Sequence, residues 1–182
     1  MPRSFSASRA PHRLQKRLAS LRTLEWLNIA WLAVLVLWWA PAWQHAPVPV
    51  GTWQRTVAFL PVAGLLAVGG WYWHRKLRQL RDGRPLDDAL PMLQRVGRRA
   101  RRLLTVLTVA MGLSWMTATG STADRSWATL LLLFAWAEYI NYFHVQLMHD
   151  TRSDVARLCR TRRLRCSWLA NDLAEWQETE DS

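Results

Sequence analysis

Cysteine is scarce in this chain. Cys159 and Cys166 are the only two among 182 residues. They form no CxxC pair and no disulfide framework, and both are read as reduced thiols. Acidic residues are also few, 13 against 24 Lys and Arg, which leaves a net charge of +11. Tyr and Phe number only 3 and 4, whereas Trp reaches 13. HExxH, GxSxG, the phosphate-binding P-loop and GxGxxG are all missing, so no common catalytic or nucleotide-binding class is signalled. The expectation is a protein that is not an enzyme and needs no cofactor.

What the chain does have is long apolar runs separated by very basic stretches. The runs cover about 24–40, 56–73, 103–119 and 127–148. Each is close to the length a helix needs to cross a bilayer. Trp suits the boundary between hydrocarbon and water, because its ring is apolar and its N–H wants a partner. The sequence therefore predicts an all-α integral membrane protein, a four-helix transmembrane bundle.

The domain plan follows from these runs. Residues 1–22 form a basic N-terminal arm, with Leu14, Leu18 and Leu21 on one face of an interfacial helix. Residues 23–150 hold the four spans, and 74–102 is a basic helical hairpin between the second and third. Residues 151–182 are a tail whose last helix is amphipathic and acidic at its end. Ala40-Pro41-Ala42 resembles a signal-peptide cleavage site. The preceding basic region is too long and the run too rich in Trp for that reading, so the first run is taken as a retained helix.

Local signals refine the plan. Ala63, Gly64, Ala67 and Gly70 are small residues at helical spacing that permit a close helix–helix approach. Asp87 or Asp88 can cap the next helix, with Pro91 in its first turn. Leu93, Val96, Ala100, Leu103 and Leu107 alternate at spacings of 3 and 4 and predict a packing seam. Gly120–Ser126 reads as a polar turn before a fourth helix starting at Trp127. Ser167 can cap the last helix. One short echo stands out: Glu25-Trp26-Leu27-Asn28 resembles Glu138-Tyr139-Ile140-Asn141.

Charge placement sets the orientation. Only Arg55 and Arg125 lie in the first and third connections, so 22 of the 24 Lys and Arg fall on one side. The positive-inside rule then puts both termini in the cytoplasm. Orientation alone accounts for the basic character, and the basic stretches lack the interleaved aromatics of a single-strand binder, so no nucleic acid is expected. Arg95, Arg98, Arg99, Arg101 and Arg102 are the candidates for contact with anionic lipid head groups or a protein partner.

The fourth run carries a carboxylate, Glu138, near its middle, and such a group is costly unless it has a role. Glu138, Asn141, Tyr142, Val145 and His149 share one broad face, with His144 at its flank. Counting residues from the span ends sets Ser114 level with Glu138, and Asn28 and Thr108 level with His144. The candidate cluster is therefore Glu138, Asn141, His144, Ser114 and Asn28. It reads as a structural hydrogen-bond network with Glu138 neutral, as a proton, cation or small-ligand relay, or as an oligomer contact. A metal is not expected, because Glu138 is followed at i+3 by Asn141 rather than His. The functional expectation is an accessory or interaction protein of the cytoplasmic membrane. The alternative is a small oligomeric transporter or proton- or ion-coupled carrier.

Overall fold

The computed structural model describes residues 12–35, 52–83, 85–118, 121–147, 160, 162 and 164–180. Those residues are all-helical, with four long helices and one short: α1 (His12–Ala33), α2 (Thr52–Asp82), α3 (Leu90–Met116), α4 (Thr122–Phe143) and α5 (Trp168–Glu180). By length and hydropathy, one of them, over Gln54–Asp82, suffices to cross a membrane. Charges dilute the others. The first half of α3 carries five arginines, and α4 contains Asp124, Arg125 and Glu138. The Ala40–Pro41–Ala42 site, the first connection, Cys159, His149 and Asp150 lie outside the described residues.

α2 is the centre of the molecule. α1 and α4 pack on it from two sides, and α3 packs chiefly on α4. Successive long helices run antiparallel: Arg22 meets His74 at one end of the molecule, and Gln54 meets Ser114 at the other. The core between α2, α3 and α4 is built from Val62, Leu65, Leu66, Leu104, Leu131 and Ala135, with smaller contributors around them. A second cluster at the α5 end joins Tyr72, Leu86, Leu90, Leu93, Tyr142 and Leu169.

Several expected boundaries move, each for a visible reason. The basic arm and the start of the first apolar run form one helix, α1, because nothing between Gln15 and Leu24 breaks the ladder. α2 passes through Pro61 unbroken. Leu86, not Asp87 or Asp88, occupies the cap of the 3-10 turn Asp87–Ala89 that leads into α3. Pro91 sits in the first turn of α3 as its missing N–H allows.

α4 starts at Thr122, earlier than Trp127, because the Ser121 hydroxyl accepts the Asp124 N–H and caps the helix. It ends at Phe143 rather than near 148. The Asn141 side chain accepts the Leu147 N–H, and the Ser167 N–H donates to the His144 carbonyl. Val145 and Gln146 then pair with the chain at Cys166 and Arg165. Tertiary partners thus take over the groups that a longer helix would satisfy internally. Ser167 also accepts the Ala170 N–H at 3.1 Å and caps α5, the role its position suggested.

The helix contacts turn on glycine, at Gly70 of the expected stripe and at its neighbour Gly69, but not at Gly64. Gly64 faces open space. Gly69 lies directly under Tyr142, and a Cβ there would overlap the phenol ring and its hydroxyl. Gly70 lies under Trp26 and Glu25, the latter's Cβ 3.4 Å from where a Gly70 Cβ would be. The seam of α3 is likewise displaced. Leu103 is exposed and Leu104 fully buried, so the inward stripe is Leu93, Gly97, Ala100, Leu104 and Leu107. Phe143 sits on Gly97, 2.6 Å from the place a Cβ would take.

These contacts predict opposite outcomes for two glycines of one helix. Gly69→Ala should destabilise the protein by about 1–3 kcal/mol through overpacking. Gly64→Ala should leave stability unchanged or raise it by up to about 1 kcal/mol, because alanine is the better helix former. Denaturant unfolding of the two purified variants measures both.

Candidate functional site

Two polar sites are buried, one at each end of the molecule. The first lies where α1, α2, α4 and α5 meet. Glu25 of α1 is 9% exposed and Glu138 of α4 is 8% exposed. Tyr142, one turn beyond Glu138, donates its hydroxyl to Glu25 Oε1 in a short hydrogen bond. The same hydroxyl and the Asn141 side chain hydrogen-bond to Glu138. Glu138 Oε2 is buried with no hydrogen bond.

The local sequence explains this meeting. Glu138 and Tyr142 are i, i+4 neighbours on the buried face of α4. Bare backbone at Gly69 and Gly70 lets that face and the Glu25 face of α1 approach α2 closely enough to touch. The Ser167 hydroxyl donates to the Tyr142 carbonyl and ties α5 to the same spot.

Beside Glu25 is a cavity of about 50 Å³. Its polar lining comes from Arg17, Glu25, Asn141, Tyr142, Gln146 and Ser167. Its apolar walls are Leu14, Leu18, Leu21, Trp73, Trp168 and Leu169. α5 closes one side of it. Lys76 Nζ lies 2.8 Å from Asp172, and Tyr72 donates to the same carboxylate at 2.7 Å, which fastens α5 to α2.

The second site is at the opposite end. Arg55 Nε lies 2.7 Å from Asp124 Oδ1, with both side chains at least 95% buried. The Ser121 hydroxyl donates to Asp124 Oδ2 at 2.6 Å. Arg125 lies over the Trp115 ring, 4.8 Å from its centroid, and donates to the Ser114 carbonyl at 3.4 Å. Gln54 donates to the Ser114 hydroxyl at 2.9 Å. The two lone cations of the short connections are therefore built into the helix ends. Asp124 gives the sequence cue, lying three residues after Ser121 in the pattern of an N-terminal cap.

The expected cluster separates. Glu138 and Asn141 stay together. Ser114 is at the far end with Gln54, so it does not meet Glu138. Asn28 is exposed. His144 is also exposed; it caps the C-terminus of α4, and its ring meets Tyr139 edge-on at 5.3 Å. Thr108 accepts the Trp136 indole N–H at 3.0 Å rather than lying level with His144. Because α4 ends at Phe143, Glu138 lies only ~8 Å from its helix end, not mid-way along a longer span. Arg95, Arg98, Arg99, Arg101 and Arg102 are all exposed. Glu25 and Tyr142 are the residues that the depth count did not bring to Glu138.

Among the described residues, no group of three or more His, Cys, Asp or Glu is placed to hold a metal ion. Comparison with protein-family models, curated proteins and solved structures finds no match.

Breaking the Arg55–Asp124 pair on one side leaves a buried charge. Asp124→Leu alone should cost about 3–5 kcal/mol, and the double change Arg55→Leu with Asp124→Leu should recover most of that loss. Equilibrium unfolding of the two variants beside the parent checks this.

Proposed function

We propose that this chain is a four-span protein of the cytoplasmic membrane, with both termini in the cytoplasm, that acts as an accessory or interaction protein through its basic face. The observation that carries this reading is a belt of outward-facing apolar side chains. It includes Leu24, Leu27 and Trp31 on α1, Leu60 on α2, Leu103, Val106, Val109 and Leu113 on α3, and Leu130 and Leu133 on α4, each about half exposed or more. A water-soluble protein rarely leaves so many large apolar groups in one zone, whereas lipid covers them at no cost. The buried Arg55–Asp124 pair and Glu138 lie towards the two ends of this belt, with Glu25 at its margin between Leu24 and Leu27.

The charge pattern fits the same orientation. The five arginines Arg95, Arg98, Arg99, Arg101 and Arg102 occupy the first half of α3, and the exposed apolar residues begin immediately after them at Leu103. Basic side chains at that level suit the phosphates of anionic lipids or an acidic partner surface. The carrier reading is retained as the second, on the specific ground that Glu25, Glu138 and Tyr142 meet out of water. Asn28, His144 and Ser114 no longer support it.

Two measurements test the first reading. Reporter fusions at Pro47 and at Asp87 should report opposite sides of the membrane; the same side for both would end the four-span assignment. Native mass spectrometry of the protein extracted with its lipids should show acidic lipids enriched. Replacing the five arginines by glutamine should remove that enrichment, and retention of the same acidic lipids in that variant would exclude this face as the contact.

A further inference from the structure

We propose that Glu25 and Glu138 together bind one exchangeable proton, held through the Tyr142 hydroxyl and reached from the α5 end through the cavity beside Glu25. The number of hydrogens at the junction requires it. Tyr142 Oη bonds to Glu25 Oε1 and also to Glu138. A phenol has one O–H to donate. If it donates to Glu25, its oxygen faces Glu138 lone pair to lone pair, which repels, unless Glu138 carries a hydrogen and donates it. Exchanging the two carboxyls gives the same result. Three oxygens in a chain need two hydrogens between them; Tyr142 supplies one, and a bound proton supplies the other.

The remaining oxygen of Glu138 agrees. Oε2 makes no hydrogen bond and is shut from water. The hydrogen bonds with Tyr142 and Asn141 therefore both fall on Oε1. A carbonyl oxygen left without a donor is far cheaper than half of an ionised carboxylate left the same way. Two buried carboxyls sharing one proton is the arrangement that like charges in contact are driven to adopt.

The surroundings do not supply the missing charge to Glu138. From α1, Glu25 and Arg17 face the junction, Arg17 from the cavity wall. From α2 come Tyr72, already bonded to Asp172, and the side-chain-free Gly69 and Gly70. His74 is turned to Arg22, 3.4 Å away. From α4 come Asn141 and Tyr142. From α5, Asp172 is engaged by Lys76. Among the described residues no cationic side chain pairs with Glu138. The cavity of about 50 Å³ touches Glu25, Tyr142 and Asn141 and is lined by Gln146 and Arg17. A single water needs roughly 10–15 Å³ of such space, so a short chain of waters fits and gives the proton a route. This site stands on packing alone. It holds whether or not the chain spans a membrane, so its failure and that of the membrane reading are separate results.

Infrared spectroscopy of the full chain in lipid nanodiscs, from mildly acidic to alkaline buffer, tests it. The expected result is a protonated-carboxyl C=O band in neutral buffer that shifts in D₂O and titrates away in a single one-proton step. Glu138→Gln should abolish the glutamic-acid band, and Tyr142→Phe should keep a band but move its frequency and its titration. If Glu138→Gln does not fold, the parent protein and Tyr142→Phe still decide. Absence of the band in neutral buffer overturns the proposal. So does a band unchanged in both Glu138→Gln and Glu25→Gln, or one abolished when sodium chloride replaces choline chloride, which would mean a metal cation occupies the site.

Discussion

The Tyr142 phenol sits against the bare backbone of Gly69, and Glu25 of α1, packed on Gly70, accepts from its hydroxyl. A methyl group at Gly69 would overlap the Tyr142 phenol outright, and one at Gly70 would crowd Trp26 and Glu25, so both work against two carboxyls sharing one phenol. The rest of this end depends on that approach. α5 is tied to the Tyr142 carbonyl by Ser167, and the second core cluster gathers around Tyr142, Tyr72 and Leu169. The cavity is the space left where α1, α2, the end of α4 and the start of α5 converge on this point.

The opposite end solves a similar problem with charge. Arg55 and Asp124 are buried together, and Arg125 is spread over Trp115. A buried ion pair adds little net stability but strongly opposes separation of its members, so it fixes the register of α2 against α4. Between the two ends the interior is apolar, and much of the outer surface of α1, α3 and α4 is apolar too. Polar interiors at the ends and apolar surface in the middle reverse the usual arrangement in water, and this contrast supports the proposed place in a lipid layer.

Much of the helical order was legible in the sequence, because apolar runs, Pro91 and the Ser167 cap are local signals. Glu138 was legible as a costly residue for the same reason. Its partners on α4, Asn141 and Tyr142, were legible as neighbours on one helix face; its partner across the helices, Glu25, was not. Counting residues along straight helices set Ser114 and Asn28 beside it, but α4 begins and ends about five residues early, and both shifts come from contacts distant in sequence or from a cap read as turn. The small-residue stripe of α2 told that a close approach was allowed, not which face would use it; Gly64 is open and Gly69 is covered. The echo between Glu25-Trp26-Leu27-Asn28 and Glu138-Tyr139-Ile140-Asn141 was the one cue to Glu25. Its two glutamates do come together at the Tyr142 hydroxyl, over a glycine pair of which the stripe had marked Gly70 but not Gly69.

Glu25, Glu138 and Tyr142 form one hydrogen-bonded unit that joins α1 and α4 over α2. A double-mutant cycle on unfolding stability with Glu25→Gln and Tyr142→Phe reads it most directly. If the account holds, the two changes are coupled by at least about 1 kcal/mol, as residues in one hydrogen-bond network are. Additivity within about 0.3–0.5 kcal/mol, the behaviour of distant and independent sites, would contradict it.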